Sequence, residues 1–398
     1  MNADTTRDPL DEPIEARAET EAETAAPEGV LRRGLTPRQA FGMLAGVLAA
    51  LLIALIVYLL LTLAPESLTL EGGDTVAGLE PVLVIQGPGK GPAPRFDRPM
   101  SAAFGPRGRI YVSDTGNNRV CVFDRRGDFL FEFGGFGVGK PIPGVEPTWK
   151  EGLMNFPVGI DVDEDGTVYV ADFRNDQIQA FDAEGNFLRA FPDRLKPVGR
   201  GGSGQDGGGI AVTDVAVRDG KVYATDTYQV FVFTTDGKLV RQFGKPGSGI
   251  GDLDHPNGVA VGADGTIFVS DSNHNRVTAF DSEGTPLWDF GRPLGMARLT
   301  DPATRTDDAD EAEEGLLGLP RGLTVDDEGR LLVADAFDFQ LVLIGERGRT
   351  IERFGERGTA PGQLNFLNDV DVDGDLLLVA DKENDRVQLV RLVRTVRP

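Results

Sequence analysis

The chain has 398 residues, among them 52 glycines, 25 prolines and 23 phenylalanines, a composition that suits many short strands joined by tight turns rather than a helix bundle. Its formal charge is −23, of which residues 1–80, with 13 acids and five arginines, hold −8 and residues 81–398 hold −15. A domain this acidic repels phosphate backbones, which sets nucleic-acid binding aside and leaves cationic partners or bound metal ions open, while the single cysteine, Cys121, excludes an intrachain disulfide and any CxxC metal or redox motif.

Met1 to Val30 contains nine acids and two arginines amid Ala, Thr, Glu and Pro, too little apolar surface to offset the entropy of ordering, so residues 1–40 read as a disordered acidic tail ending in a basic flank. Next comes "FGMLAGVLAALLIALIVYLLLTLA", residues 41–64, without a charge. As a helix those residues span about 36 Å, enough for a hydrocarbon core of roughly 30 Å. The run is too long and too far from the N-terminus for a cleavable signal peptide, whose apolar core is roughly 7 to 15 residues. It is expected to be an uncleaved transmembrane helix. Arg32, Arg33 and Arg38 precede it and Glu66, Glu71 and Asp74 follow, so the positive-inside bias puts the N-terminus in the cytoplasm and everything after Ala64 outside. Residues 65–80, with Gly72, Gly73 and Gly78, read as a flexible tether.

From Pro81 onward one sentence returns six times. Its first form, "MSAAFGPRGRIYVSDTGNNRVCVFDRRGDFLFEFG", gives strand, glycine turn, strand ending in Asp114, polar turn with Arg119, strand, Gly127 turn and a last strand. Later units centre on Asp172, Asp226, Asp271, Asp335 and Asp381, and pairs such as Ile110, Val112 and Val168, Val170 have the period-2 alternation of half-buried strands. A unit of about 40 residues with four short strands is a propeller blade. The pattern P-x-G-(I/V)-x-V, G-x-(I/V)-(Y/F)-V-(A/S)-D, N-x-R-(V/I)-x-x-F-D, fullest in Pro256 to Gly291, resembles the NHL repeat. The resemblance implies an all-β, six-bladed β-propeller over residues 81–398, of a membrane-anchored bacterial kind similar to the external sensor propellers of transmembrane kinases, without a kinase domain. The sixth unit lacks an outer strand, whereas "PVLVIQG", Pro81 to Gly87, is an outer strand with no unit before it, so the two are expected to join and close the ring.

The strand-end acids read as structural joints: a carboxylate there can accept amides of the turn it introduces and pair with an arginine five residues on, as Asp114, Asp271 and Asp381 would with Arg119, Arg276 and Arg386. Blades two and five carry Gln177 and Gln340 instead, and blade three, at Asp226, shortens the turn. "DVDEDGTVYVAD", Asp161 to Asp172, loosely matches a calcium loop, but its second half is strand-patterned where a helix should start. His255 and His274 stand at repeat positions; the family's amidating lyase uses several histidines around zinc and the related streptogramin-type lyases depend on a catalytic histidine, and two histidines at such positions do not readily supply a three-histidine zinc site. No catalytic or metal-ligating residue is assigned and no cofactor is expected. One alternative stays open, a lactonase-like hydrolase or lyase with calcium in the central channel, to which Asp214, Asn368 and Asp369 on innermost strands would contribute.

The blades differ from one another most in their connections. Those over residues 135–155, 192–209 and 292–319 are enlarged, the last with an acidic block from Asp307 to Glu314. Propellers gather these connections and the turns between second and third strands on one face. The aromatic residues there that the repeat does not require, Phe136, Trp149, Tyr228, Phe337 and Phe339, are the candidate partner-binding residues, and the ligand is expected to be a protein, a peptide or a component of the cell envelope.

Overall fold

The computed structural model describes residues 75–138, 150–192, 211–291, 317–345, 348 and 350–395. The tail, the apolar segment 41–64, the tether up to residue 74, and the interiors of the three enlarged connections with Trp149 lie outside the described residues. Among the described residues no helix is long and apolar enough to cross a membrane.

β1 (Thr75–Ile85) comes first and is followed by six units. Blade one is β2 (Ser101–Gly105), β3 (Arg109–Asp114), β4 (Arg119–Phe123) and β5 (Phe129–Gly134); blade two is β6 (Pro157–Val162), β7 (Val168–Asp172), β8 (Gln177–Phe181) and β9 (Phe187–Phe191). Blade three comprises β10 (Asp214–Arg218), β11 (Lys221–Thr225), β12 (Val230–Thr234) and β13 (Leu239–Phe243), and blade four β14 (Pro256–Val261), β15 (Ile267–Asp271), β16 (Arg276–Phe280) and β17 (Pro286–Phe290). Blade five has β18 (Pro320–Val325), β19 (Leu331–Asp335), β20 (Gln340–Ile344) and β21 (Thr350–Phe354); blade six supplies only β22 (Leu367–Asp373), β23 (Leu376–Asp381) and β24 (Arg386–Thr395). Its fourth strand is β1, in the order β22-β23-β24-β1, so all six sheets are four-stranded and antiparallel. The joining strand is longer than the sequence reading, starting at Thr75 inside the expected tether, and its register runs from Thr75↔Thr395 to Ile85↔Val387. The Val387 end adjoins the turn Lys382–Asn384 on the loop face, which leaves the Thr75 end on the opposite face.

The ring is held by six apolar clusters, one at each junction. Between blades one and two Tyr111, Val120 and Val122 meet Ile160, Val168 and Phe181; between six and one Leu378, Val387 and Leu389 meet Ile110, Val112 and Phe123. Alternation makes this possible, because both faces of each blade are covered by neighbours and the second and third strands are buried throughout. Aromatic contacts repeat with the blades: Phe133 meets Phe181 at 4.6 Å, Phe191 meets Phe233 at 5.2 Å and Phe243 meets Phe280 at 4.9 Å between ring centroids. Close approach of a hairpin to the preceding blade selects glycine where the backbone also turns left-handed, as at Gly185, whose φ is +83° and where a Cβ would lie 2.6 Å from the Phe133 ring.

In every blade the outer strand slips register against the third and lodges one extra residue: Val82, Leu130, Leu188, Val240, Leu287 and Ile351. These six equivalent β-bulges, with a seventh in β1 at Ala77, twist the outermost edges and spoil them as templates for another strand.

Candidate functional site

The strand-end acids are cross-links between segments distant in sequence. Asp114 Oδ1 accepts the amide of Asp97 at 2.8 Å and its Oδ2 accepts Arg119 Nε at 2.7 Å. Asp271 does the same with the Asp254 amide and Arg276 Nε, and Asp381 with the Asn365 amide and Arg386 Nε. The amide thus comes from the connection ahead of the innermost strand, not from the turn the acid introduces; only in shortened blade three does Asp226 accept its own turn, from Tyr228 and Gln229. Burial, opposed by those two amides, pushes the Asp226 carboxyl up to about 6. Gln177 does reach Asp172, at 3.0 Å, joined by Asn175 and Gln179. Gln340 does not reach Asp335. It turns to the Gly355 carbonyl, while the amides of Gly318 and Leu319 bond Asp335 and Arg353 Nη1 lies 3.8 Å away. His274 occupies the repeat position, its Nδ1 2.8 Å from Asp271. The suspected calcium loop is the β6–β7 hairpin, closed by Asp163 accepting the Thr167 amide at 2.8 Å.

The face that carries the connections holds most of the predicted aromatics. Phe136 is 56% exposed and Phe337 57% exposed. Phe136 is bridged through its main chain to Met154, which pins the start of its connection to its end. Phe337 packs edge-to-face on Phe366 at 5.6 Å, Tyr228 meets the His255 ring at 5.8 Å, and Phe339 lies under the Arg357 guanidinium at 5.0 Å. Sequence reasoning missed Phe156, Phe173 and Phe366, because they sit where the repeat admits almost any side chain. Phe156 packs on Phe173 at 6.2 Å and under Arg174 at 4.5 Å, and Lys382 covers Phe366 at 4.5 Å.

The central channel is the second candidate. A cavity of about 270 Å³ is lined by Asp161, Asp214, Asp369 and Asp371 together with Val215, Val259 and other residues of the innermost strands, and by Asp327 just beyond β18. Asp214 and Asp369 were read from the sequence as channel acids; Asp161 and Asp371 join them, and their signal was a polar residue interrupting an apolar strand. Each acid fastens its blade to the next: Asp161 accepts the Val217 amide at 2.7 Å, Asp214 that of Val259 at 2.9 Å, Asp371 that of Phe104 at 2.8 Å, and Asp369 the Ser101 hydroxyl. Asn368 accepts Arg321 Nη2 at 2.8 Å and donates to the Met100 carbonyl at 2.7 Å. Gly159 and Gly322 make room for this layer, since a Cβ on either would collide with Asp214 or Asp369. Burial raises Asp161 to about 8, with nearby Asp371 adding to it, Asp214 to about 7, and Asp371 to about 6. Burial also lowers Arg321 to about 10 against the pull of Asp214 and Asp369. Among the described residues no group of three acidic, histidine or cysteine side chains is set to hold a metal ion.

A family model described as the NHL repeat matches residues 96–123, 154–181 and 253–280, which lie in blades one, two and four. The chain is 31% identical over 172 residues to Protein brain tumor of Drosophila melanogaster, a match covering 40% of this chain and 14% of that protein. It is 29% identical over 165 residues to the B-box type zinc finger protein ncl-1 of Caenorhabditis elegans, covering 40% of this chain and 16% of that protein. The chain therefore spans about one seventh of the length of these relatives. Among solved structures it is similar to a gluconolactonase, XC5397 of Xanthomonas campestris, with 18% identity, a TM-score of 0.50 and coverage of 75% of this chain and 87% of that one. A virginiamycin B lyase from Staphylococcus aureus aligns with 14% identity and a TM-score of 0.47 over 74% of this chain and 95% of that one. At 18% identity the likeness to the gluconolactonase is one of fold.

Proposed function

We propose that this NHL-repeat β-propeller is a binding scaffold for a protein, peptide or cell-envelope ligand, carried on a membrane by residues 41–64 with the propeller on the extracytoplasmic side. The reading rests on one observation, the large apolar rings of Phe136 and Phe337 left more than half exposed on the face where three connections are enlarged. Rings presented on loops of a rigid disc are typical anchors of a protein interface. The uncharged 24-residue run and the arginines ahead of it support the anchoring and the orientation. A second reading, a hydrolase or lyase acting in the channel, is favoured by the four inner-strand carboxylates that line the cavity and by Arg321 close to Asp214 and Asp369. Against it, each of those acids is already engaged in a bond to the next blade. The test is crosslinking capture of envelope partners by the full chain. Phe337→Ala and Trp149→Ala should lower capture by roughly tenfold or more and leave Tm within a few degrees. Lower Tm with undiminished capture would mean that these rings are packing residues and that the scaffold reading has the wrong surface.

A further inference from the structure

Four blades end the polar turn after the second strand on a left-handed residue, and these are Asn118, Asp176, Asn275 and Asp385, the side chains that tolerate such backbone best. Blade five puts Phe339 in that position, at φ +57°. The residue just before the innermost strand is left-handed too in four blades, as Arg98 at φ +50°, Phe156 at φ +63°, His255 at φ +52° and Phe366 at φ +52°. A bulky side chain in this conformation costs on the order of 1–3 kcal/mol, strain that the fold could shed by using Asn or Gly. Phe156 shows how the strain is held: its amide donates to Asn118 Oδ1 of the preceding blade at 2.8 Å. All three phenylalanine rings lie on the loop face and are only half-buried. Phe156 packs against the apolar cluster between blades two and three, whereas Phe339 and Phe366 belong to none of the six clusters.

Each of these rings has a cation above it. Arg174 over Phe156 and Arg357 over Phe339 are exposed, and neither has a carboxylate partner among the described residues, although the domain carries an excess of acids. A guanidinium stacked on a ring uses its flat face and keeps its N–H groups free in its plane, poised for bidentate contact with a carboxylate. Blades two and five are three steps apart in a ring of six, so the two ring-and-arginine pairs stand on opposite sides of the channel mouth.

We propose that the loop face docks an extended segment of a partner protein that crosses the channel mouth and presents aromatic or large aliphatic anchors flanked by Asp or Glu. The anchors seat on Phe156, Phe339 and the exposed edge of Phe337 with Phe366, and the carboxylates take Arg174 and Arg357. This rests on the scaffold reading and names its partner class. A polyanion is disfavoured because two free arginines do not offset the acidity of the domain.

The test pans a random-peptide display library on the purified full chain and measures binding of the enriched synthetic peptides, of the same peptides with every Asp and Glu amidated, and of a short single-stranded RNA. Enriched peptides should combine an acid with an aromatic or large aliphatic residue, and amidation should weaken them. Arg174→Gln and Arg357→Gln should each weaken binding by about tenfold. Phe156→Asn and Phe339→Asn should weaken it as much, and Phe339→Asn should do so while Tm holds or rises, since Asn suits the left-handed backbone and Phe339 belongs to no core cluster. Basic or acid-free enriched peptides, peptides displaced by the RNA, or full binding by both arginine variants would overturn the proposal and leave the scaffold reading intact. So would asparagine variants that melt lower and bind normally. If the wild-type chain enriches no peptide of any kind, the scaffold reading falls and this proposal with it.

Discussion

Asp172 receives the Asn155 amide at 2.7 Å on one oxygen and the side chains of Asn175, Gln177 and Gln179 on the other, with no exposed surface. Removing it takes one buried acceptor from each of four donors, although Asn175 and Gln179 keep the Gly137 and Leu153 carbonyls. Each buried donor left unpaired costs about 1–3 kcal/mol, and relaxation lets some find new acceptors, so Asp172→Ala should lose about 3–5 kcal/mol in chemical denaturation. Asp172→Asn keeps the shape and one acceptor and should lose clearly less; equal losses would mean that the carboxylate is not the joint. The acid, its spacing to position five and its recurrence were legible in the sequence because the acid returns in all six blades and bonds the residue five places on in four of them. Its amide partner was not, because that amide belongs to a segment some 17 residues earlier whose side chain is irrelevant to the bond. The same blindness applies to Phe156 and Phe366. Nothing in a lone sequence distinguishes a left-handed phenylalanine from an ordinary one.

Strand alternation and glycine turns announced the blades, and an outer strand without a unit at one end, against a unit without an outer strand at the other, announced how the ring closes. The exact reach of β1 did not follow, because "TVAGLE" has the composition of a tether and becomes strand only where β24 continues beside it. Deleting residues 75–85 from the full chain should bare the edge of β24, lower Tm by well over about 5 °C and promote self-association. An unchanged Tm would show that three strands suffice for blade six. The six bulges were beyond sequence reasoning altogether. Leu130, Leu188, Val240 and Leu287 read as alternating strand residues, and only the register reveals that each is one residue too many.

Across the whole disc the channel carboxylates join blades two to three, three to four and six to one, so their ionisation acts on the assembled ring rather than on one blade. Their folded values, about 8 for Asp161, about 7 for Asp214 and about 6 for Asp371, lie above the ordinary 3.8 because burial, first of all, penalises the charge. An acid whose folded value is raised contributes most below its unfolded value, and that contribution is lost as pH climbs through the folded one. Tm should therefore fall by several degrees as pH climbs from about 4 to about 8, between the ordinary value of these acids and their highest folded one, and level off above that. Asp161→Asn should flatten the upper part of that fall; a pH profile identical to wild type would remove Asp161 from the account. The closing strand, for its part, has a mechanical consequence. β1 runs from the face opposite the loops toward them, with main-chain hydrogen bonds to β24 across its length. Tension between a partner seated on the loop face and whatever precedes residue 75 would pull along that strand, and bonds perpendicular to the pull yield together in shear rather than singly as in a zipper. Such a load would meet the whole β1–β24 ladder at once.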